Sequence, residues 1–497
     1  MKGLIAAFLT FSLLSLSCNF LTPTATPPPS NVSDVPDFLD TAWHDRAIFK
    51  DGLVPAARPA LGELGGASVY HIEMNIDDDL FHVTGTQDAL YTNNEDVPLD
   101  EVHFRLFPNI LGGKMQISNL RVDESTVQPR FGLQNSLLIV PLGEALEPGE
   151  SVLIHMDFSV TIPQSVDLNY GVLAYDDEVL SLAHAYPMIA VYNSEGWNEE
   201  IPPQAGDVTF ADASFYLVRV TAPRDVTVVT SGRTVSAEET DQVQILNVAS
   251  GPARDFYLAT SPNYEETAQI FGDVTIRSYT PKGLEEGSQA AAEIASRALE
   301  VFNARYAPYP YTELDIVATP TLALGIEYPG IIAITSWIYD GSKANPYFES
   351  TIVHEVGHQW FYNLVGDDQL DEPWLDESLA QFVTLQYFAD EYGVEGEEGF
   401  RASLEGRWAY VGNATIPIGL PVDEYDGVEY SAIVYGRGPL FFVELKNKMG
   451  GEAFDAFMKE YTESLSWNIS TTESLQSIAE ENCLCELDEL FSAWVYP

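Results

Sequence analysis

The sequence predicts an α+β chain of more than one domain, an antiparallel β-rich part followed by a mainly helical part. Three observations carry this reading. At 497 residues the chain exceeds what one compact domain usually holds, so about two or three are expected. From Ala67 to Pro262, short runs alternate apolar and polar residues between turn formers. Near Pro281 the character changes to Ala- and Glu-rich stretches with apolar residues at helical spacing.

The amino-terminal segment reads as a signal peptide over residues 1–17. Lys2 gives a positive start, and Leu4 to Leu16 form an apolar core too short to span a bilayer. Leu14-Ser15-Leu16-Ser17-Cys18 resembles a bacterial lipobox, with Ser15 where Leu is expected, and makes Cys18 the expected lipidation site. An ordinary cleaved signal with an incidental Cys is the alternative. Residues 18–38 then serve as a tether, because TPTATPPP at Thr22 to Pro29 cannot build a core and favours an extended chain. No other segment is long and apolar enough for a membrane span. The expected location is therefore outside the cytoplasm, with a lipid on Cys18 as the only membrane attachment.

The β-rich domain is expected over residues 39–262. VYHIEMNI at Val69 to Ile76, EVHFRLFPN at Glu101 to Asn109 and SFYLVRVTAP at Ser214 to Pro223 are strand-like runs. His71, His82, His103, His155 and His184 fall in or beside such runs at spacings that suggest no metal site, so they read as ordinary strand or edge histidines. The second domain is expected over residues 263–497. It opens with a helix from Leu284 to Tyr306, with Ile294, Ala298, Val301 and Phe302 at helical spacing, then a strand from Glu313 to Thr319. Helices follow at Phe348 to Val365 and Trp374 to Tyr392, and again from Gly438 onward with breaks at Gly450-Gly451 and near Ser466. Cys483 and Cys485, one residue apart, form either a strained disulfide or a pair of buried thiols.

Charge excludes some partners. With 75 acidic residues against 23 basic and a net charge of −52, the chain lacks the clustered cations that nucleic acid or an anionic membrane surface requires. The acidity fits a solvated surface that keeps an exported protein soluble, or adaptation to high salt, where screening relieves self-repulsion.

The chemistry centres on Thr351-Ile352-Val353-His354-Glu355-Val356-Gly357-His358-Gln359-Trp360. Two His four residues apart on a helix lie about 40° apart around its axis, so both imidazoles reach one Zn²⁺. Glu355 follows the first His and can reach a water at the metal as general base. A hydrolytic two-His site needs a third protein ligand and an open position. Eighteen residues separate His358 from Glu377, which sits in Pro373-Trp374-Leu375-Asp376-Glu377. Pro373 suits a helix start. A helix, a short loop and a second antiparallel helix would return Glu377 to the metal.

These residues resemble the gluzincin aminopeptidases, the family of aminopeptidase N and leukotriene hydrolase. That family carries H-E-x-x-H, eighteen residues, and a Glu in a W-L-N-E-like string, here Trp374-Leu375-Asp376-Glu377. Leu324-Gly325-Ile326-Glu327-Tyr328-Pro329-Gly330 lies where the family has G-x-M-E-N, with Ile326 and Tyr328 replacing Met and Asn. Val434-Tyr435-Gly436-Arg437-Gly438 lies where it has a V-Y-x-K-G-like string. The resemblance covers Ala67 to the end of the sequence. It implies a saddle-like β-rich domain, a thermolysin-like catalytic domain and one zinc per chain, held by His354, His358 and Glu377. It further implies that Tyr435 stabilises the oxyanion and Glu327 binds the free α-ammonium of a peptide, which makes the enzyme an aminopeptidase. Arg437 receives no role. About 120 residues follow Glu377, so the family's large C-terminal helical domain is not expected. The side-chain preference is left open, because no counterpart of the family's substrate-contacting Gln string is evident. The competing readings are a zinc endopeptidase or epoxide hydrolase of related fold, and a tethered peptide-binding lipoprotein without catalysis.

Overall fold

Alternation along the β-rich strands becomes burial on one face. In the strand Ser151–Thr161, Val152, Ile154, Met156, Phe158 and Val160 are buried while the residues between them are partly exposed. A computed structural model of the chain describes residues 37–203, 206, 209–339 and 345–496. The expected signal peptide, Cys18 and the Pro- and Thr-rich segment lie outside the described residues.

The strand belongs to an eight-stranded sheet. Its order is Arg233–Glu239, Val243–Ala253, Ser214–Pro223, Val69–Ile76, His82–Thr92, Ser151–Thr161, Lys114–Val122 and Ser125–Thr126. One pairing departs from the antiparallel expectation: Val69–Ile76 and Ser214–Pro223 run parallel, with Tyr70 opposite Tyr216. Periodicity reports which face a residue occupies and is silent on strand direction, and the long connection between these two strands allows the crossover. Two four-stranded sheets, one centred on Leu258–Ser261 and Val179–Leu182 and the other on Leu99–Arg105 and Leu137–Leu146, share this core.

The part that carries the motifs is built on a mixed five-stranded sheet: Tyr264–Phe271, Val274–Pro281, Glu313–Thr319, Ile331–Thr335 and, at the edge, Gly325–Tyr328. The helix Glu285–Arg305 covers it, burying Ala291, Ala295, Ala298, Leu299 and Phe302 against Ile276, Leu314 and Ile316. Gly325–Tyr328 pairs antiparallel with Ile331–Thr335 and sets Glu327 opposite Ile332.

Two helix boundaries differ from the sequence reading. The helix expected to reach Val365 spans Pro346–Gly357, with His358 as its C-cap. Beyond it the backbone reverses through Tyr362 (φ 133°), and Tyr362 N–H donates to Val365 O. Trp360, Phe361, Leu364 and Val365 are all buried, so this turn supplies the apolar pattern that reads as helix. The helix expected from Trp374 begins at Glu377, because Asp376 caps it with its side chain, and continues past a kink at Gly393 to Trp408. The last helices, Gly438–Met449, Gly451–Ser464, Thr472–Cys483 and Asp488–Trp494, break as expected. Cys483 and Cys485 form a disulfide at a half-exposed site, which decides between the two alternatives. Among the described residues no helix is long and apolar enough to cross a membrane.

Candidate metal centre

His354 stands in the last turn of the helix Pro346–Gly357, which buried Ile352, Val353 and Val356 anchor to the core. His358 keeps right-handed helical angles (φ −64°, ψ −14°), so the two imidazoles share a face although the helix has ended. Their Nε2 atoms lie 3.2 Å apart. His358 Nδ1 is 3.0 Å from Phe361 O, which fixes the tautomer that leaves Nε2 as an acceptor. The helix Glu377–Trp408 packs closely alongside, since a Cβ on Gly357 would meet Val383 Cγ2 at 2.9 Å. Glu377 Oε2 thereby comes to 3.1 Å from His354 Nε2 and 3.5 Å from His358 Nε2.

These separations fit one metal ion. Tetrahedral ligands about 2.0–2.1 Å from a metal lie roughly 3.3 Å from one another. Glu377 Oε2 is buried and has no hydrogen-bond partner among the described residues, as expected of an atom that shares a point of convergence with two ring nitrogens. The surroundings call for positive charge. Burial pushes Glu355 well above the usual carboxylate range, opposed by His358 and reinforced by Glu327 and Glu377. Burial likewise raises Glu327. Burial works against a charged His358, yet Glu327 and Glu377 outweigh it and hold the imidazole well above its ordinary value. Burial also opposes ionisation of Glu377, and the two imidazoles overcome it.

Glu355, Glu327 and His358 form a second tight group, with ligand-type atoms all within 4.8 Å of one another. Two glutamines that sequence reasoning missed hold this wall. Gln369 Nε2 donates to Glu327 Oε1 at 2.9 Å and to Asp376 Oδ2 at 2.8 Å, while Asp376 Oδ1 accepts from Glu377 N at 2.6 Å. Gln359 accepts from Gly330 N at 2.9 Å and donates to Tyr328 O at 3.0 Å, which pins the turn after Glu327. The capping tendency of Asp before a helix offered a signal for Asp376, whereas nothing local marks either glutamine.

Tyr435 sits on a π-helical turn, Ile433–Arg437, and its hydroxyl donates to Glu377 Oε1 at 2.6 Å. Such turns often re-aim a side chain at a functional site. Ser378 Oγ donates to Val434 O at 2.6 Å, locking the turn onto the helix that bears Glu377. Arg437 points away and is structural: its guanidinium donates to the carbonyls of Ile416, Ala493 and Trp494, and burial pushes it down to about 10. His354, Glu377, Tyr435, Glu355 and Glu327 all line one cleft of about 1370 Å³, whereas His358 is fully buried and lies behind its lining. Of the five β-region histidines, four lie in strands away from it. The fifth, His184, sits in a left-handed turn (φ 51°), lines the cleft and places Nδ1 2.9 Å from buried Asp255.

Residues 290–494 match the peptidase family M1 domain. The predicted ligands His354, His358 and Glu377 fall inside the matched stretch, as do Glu355, Tyr435 and Glu327. Among relatives, aminopeptidase M1-A of Oryza sativa subsp. japonica is 29% identical over 237 residues, 44% of this chain and 26% of that protein. Aminopeptidase M1 of Arabidopsis thaliana is 24% identical over 302 residues, 56% of this chain and 33% of its own length. The matches thus span a third or less of these relatives. Among solved structures, the M1 zinc metallopeptidase from Deinococcus radiodurans shares the fold with a TM-score of 0.67 at 19% identity, covering 86% of this chain and 93% of that one. The likeness extends well beyond the M1 domain into the β-rich part.

Proposed function

We propose that the protein is a zinc-dependent aminopeptidase that removes N-terminal residues from peptides. The observation that carries this reading is the position of Glu327. Its buried carboxylate is fixed by Gln369 on the edge strand, within 4.8 Å of the ligand-type atoms of Glu355 and His358. A carboxylate held this close to the reacting centre binds a free α-ammonium and offers nothing to an internal residue. Two His and one Glu suit zinc. The names of the relatives agree, and so does a solved structure of an M1 zinc metallopeptidase from Deinococcus radiodurans bound to a Tyr-Ser-Ala substrate.

Zinc held by His354, His358 and Glu377 would supply Lewis acidity to a water and to the scissile carbonyl. Glu355 takes the proton of the attacking water and passes it to the leaving amine. Tyr435, freed from Glu377, donates a hydrogen bond to the developing oxyanion. Glu327 sets the register by holding the substrate amine. The test is hydrolysis of amino-acid chromogenic amides with and without a chelator, beside the same amides N-acetylated. Chelator-sensitive cleavage of the free-amine set alone is expected. Cleavage of the acetylated set would replace this reading with an endopeptidase, and silence with zinc bound would favour a peptide-binding protein.

The proposed location is outside the cytoplasm, with Cys18 lipidated, on the strength of the apolar segment, the lipobox-like string and the Pro- and Thr-rich stretch. Cys18→Ala should move the protein from the membrane fraction to the soluble one. An unchanged distribution rejects the anchor.

A further inference from the structure

We propose that Arg407 binds a substrate carboxylate beyond the scissile bond, so that the enzyme favours peptides with an anionic group one or two residues past the cleavage site. This rests on the aminopeptidase reading and adds a second pole to it.

Among the described residues Arg407 is the only Lys or Arg that lines the cleft, whose walls also carry Asp167, Glu327, Glu349, Glu355, Glu377 and Glu395. The chain holds 75 acidic residues and 23 basic ones, so a cleft cation is easily neutralised. The neighbouring acid Glu349 instead pairs with Arg297, at 3.1 Å, and accepts from Tyr387 and Tyr392. The described residues give Arg407 no ion pair; its guanidinium lies over the ring of Tyr435, with Cζ 5.4 Å from the centroid. Tyr435 in turn reaches the metal ligand Glu377 through its hydroxyl at 2.6 Å and has His354 beside its ring at 6.1 Å.

The two poles therefore sit on different sides of the ligand set. Glu327 lies with Glu355, His358 and Gln369, whereas Arg407 lies over Tyr435 on the His354 side. A peptide whose amine is at Glu327 and whose scissile carbonyl faces Tyr435 continues towards Arg407. Extended chain covers about 3.3–3.6 Å per residue, which brings a carboxylate one or two residues on within reach of the guanidinium. An Arg in the last turn of a helix also complements the helix dipole, but that role is satisfied by any outward orientation and does not require stacking on a tyrosine inside the cleft. A planar guanidinium held by an aromatic face is pre-organised for a carboxylate.

The anion has two sources, the C-terminal carboxylate of a short peptide or an acidic side chain after the scissile bond. Four substrates separate them: Ala-Ala-Ala as free acid and as amide, and Ala-Asp-amide against Ala-Asn-amide. The wild-type enzyme should show kcat/KM higher by about tenfold or more for the anionic member of at least one pair, the size expected of one charge-assisted contact. Arg407→Gln should bring that ratio close to one, and Arg407→Lys should restore part of it. A preference in the first pair identifies the terminal carboxylate, and one in the second the acidic side chain. The proposal is overturned if both wild-type ratios are flat, or if Arg407→Gln leaves the ratio intact. Alanyl 4-nitroanilide, which has no carboxylate, serves as control: flat ratios with this amide cleaved remove the role of Arg407 alone, whereas no cleavage of any free-amine substrate removes the aminopeptidase reading and this one with it.

Discussion

A Cβ on Gly325 would lie 2.3 Å from Glu355 Oε1, so the absence of a side chain on the edge strand is what makes room for the carboxylate read as the general base. The Gly at the head of the Leu324–Gly330 string thus has a steric reason to be there. Gly325→Ala should displace Glu355 while leaving the metal ligands in place. The expected outcome is a fall in kcat of about 10²-fold or more, approaching that of Glu355→Gln, with metal content unchanged by elemental analysis. Near-normal turnover would show that the carboxylate can act from another position.

Tyr435→Phe isolates the oxyanion role. The ring and its contacts with His354 and Arg407 survive, and the donor to Glu377 is lost. Loss of one oxyanion donor costs about 10²–10³ in kcat, with little change in KM. A variant with full activity would leave Tyr435 as a packing residue and would move the oxyanion site elsewhere.

Gln369 ties the carboxylate proposed to bind the substrate amine to the network beside Glu377, since one amide nitrogen serves both Glu327 and Asp376. Gln369→Leu should weaken hydrolysis of free-amine substrates through KM, by about tenfold, because a buried carboxylate that loses a donor is harder to keep charged. An unchanged KM would mean that the edge strand alone holds Glu327 in place.

Different parts of this site were legible to different degrees, and the reason is range. His354, Glu355 and His358 are fixed by the spacing of a single helix, and Glu377 by one short return of the chain, so their convergence follows from local geometry. Gln369 and Gln359 act on backbone and carboxylates of a strand some thirty to forty residues earlier, and no local pattern marks them. Alternation gave the faces of the β-rich strands correctly yet could not show that Val69–Ile76 and Ser214–Pro223 run parallel. The helix that the sequence extends to Val365 ends at Gly357 with His358 as its C-cap, and the buried turn beyond it mimics helical hydrophobicity. The π turn that aims Tyr435 depends on Ser378 gripping Val434 O across two elements.

Metal removal should register in stability as well as activity. Among the described residues, buried Glu327, Glu355, Asp376 and Glu377 are faced by two imidazoles, so without the metal these carboxyls are buried without a cation to offset them and burial drives Glu327, Glu355 and Asp376 towards the protonated form. The apo protein should melt lower, and zinc should raise the melting temperature in a concentration-dependent way, about 2.7 kcal/mol of stabilisation at a hundredfold excess over Kd. His358→Ala should abolish the zinc-dependent rise. A rise that persists in His358→Ala would place the responding site outside this triad.

Asp315 offers a test of pH dependence away from the metal. Burial pushes its carboxyl up to about 7, although Arg277 lies 3.3 Å away and favours the charged form. In the unfolded chain the same group titrates near 3.8. Between these values the unfolded chain gives up its proton and the folded one keeps it, so this residue's contribution to stability falls as pH rises through that window and levels off above about 7. Asp315→Asn removes the penalty, while Arg277 keeps Glu313 at 3.0 Å. The melting temperature of Asp315→Asn relative to wild type should therefore increase from pH 5 to pH 8, by an amount equivalent to a few kcal/mol at most (~1.4 kcal/mol per pH unit). A difference that is constant with pH, or that shrinks, would mean that the pairing with Arg277 outweighs burial.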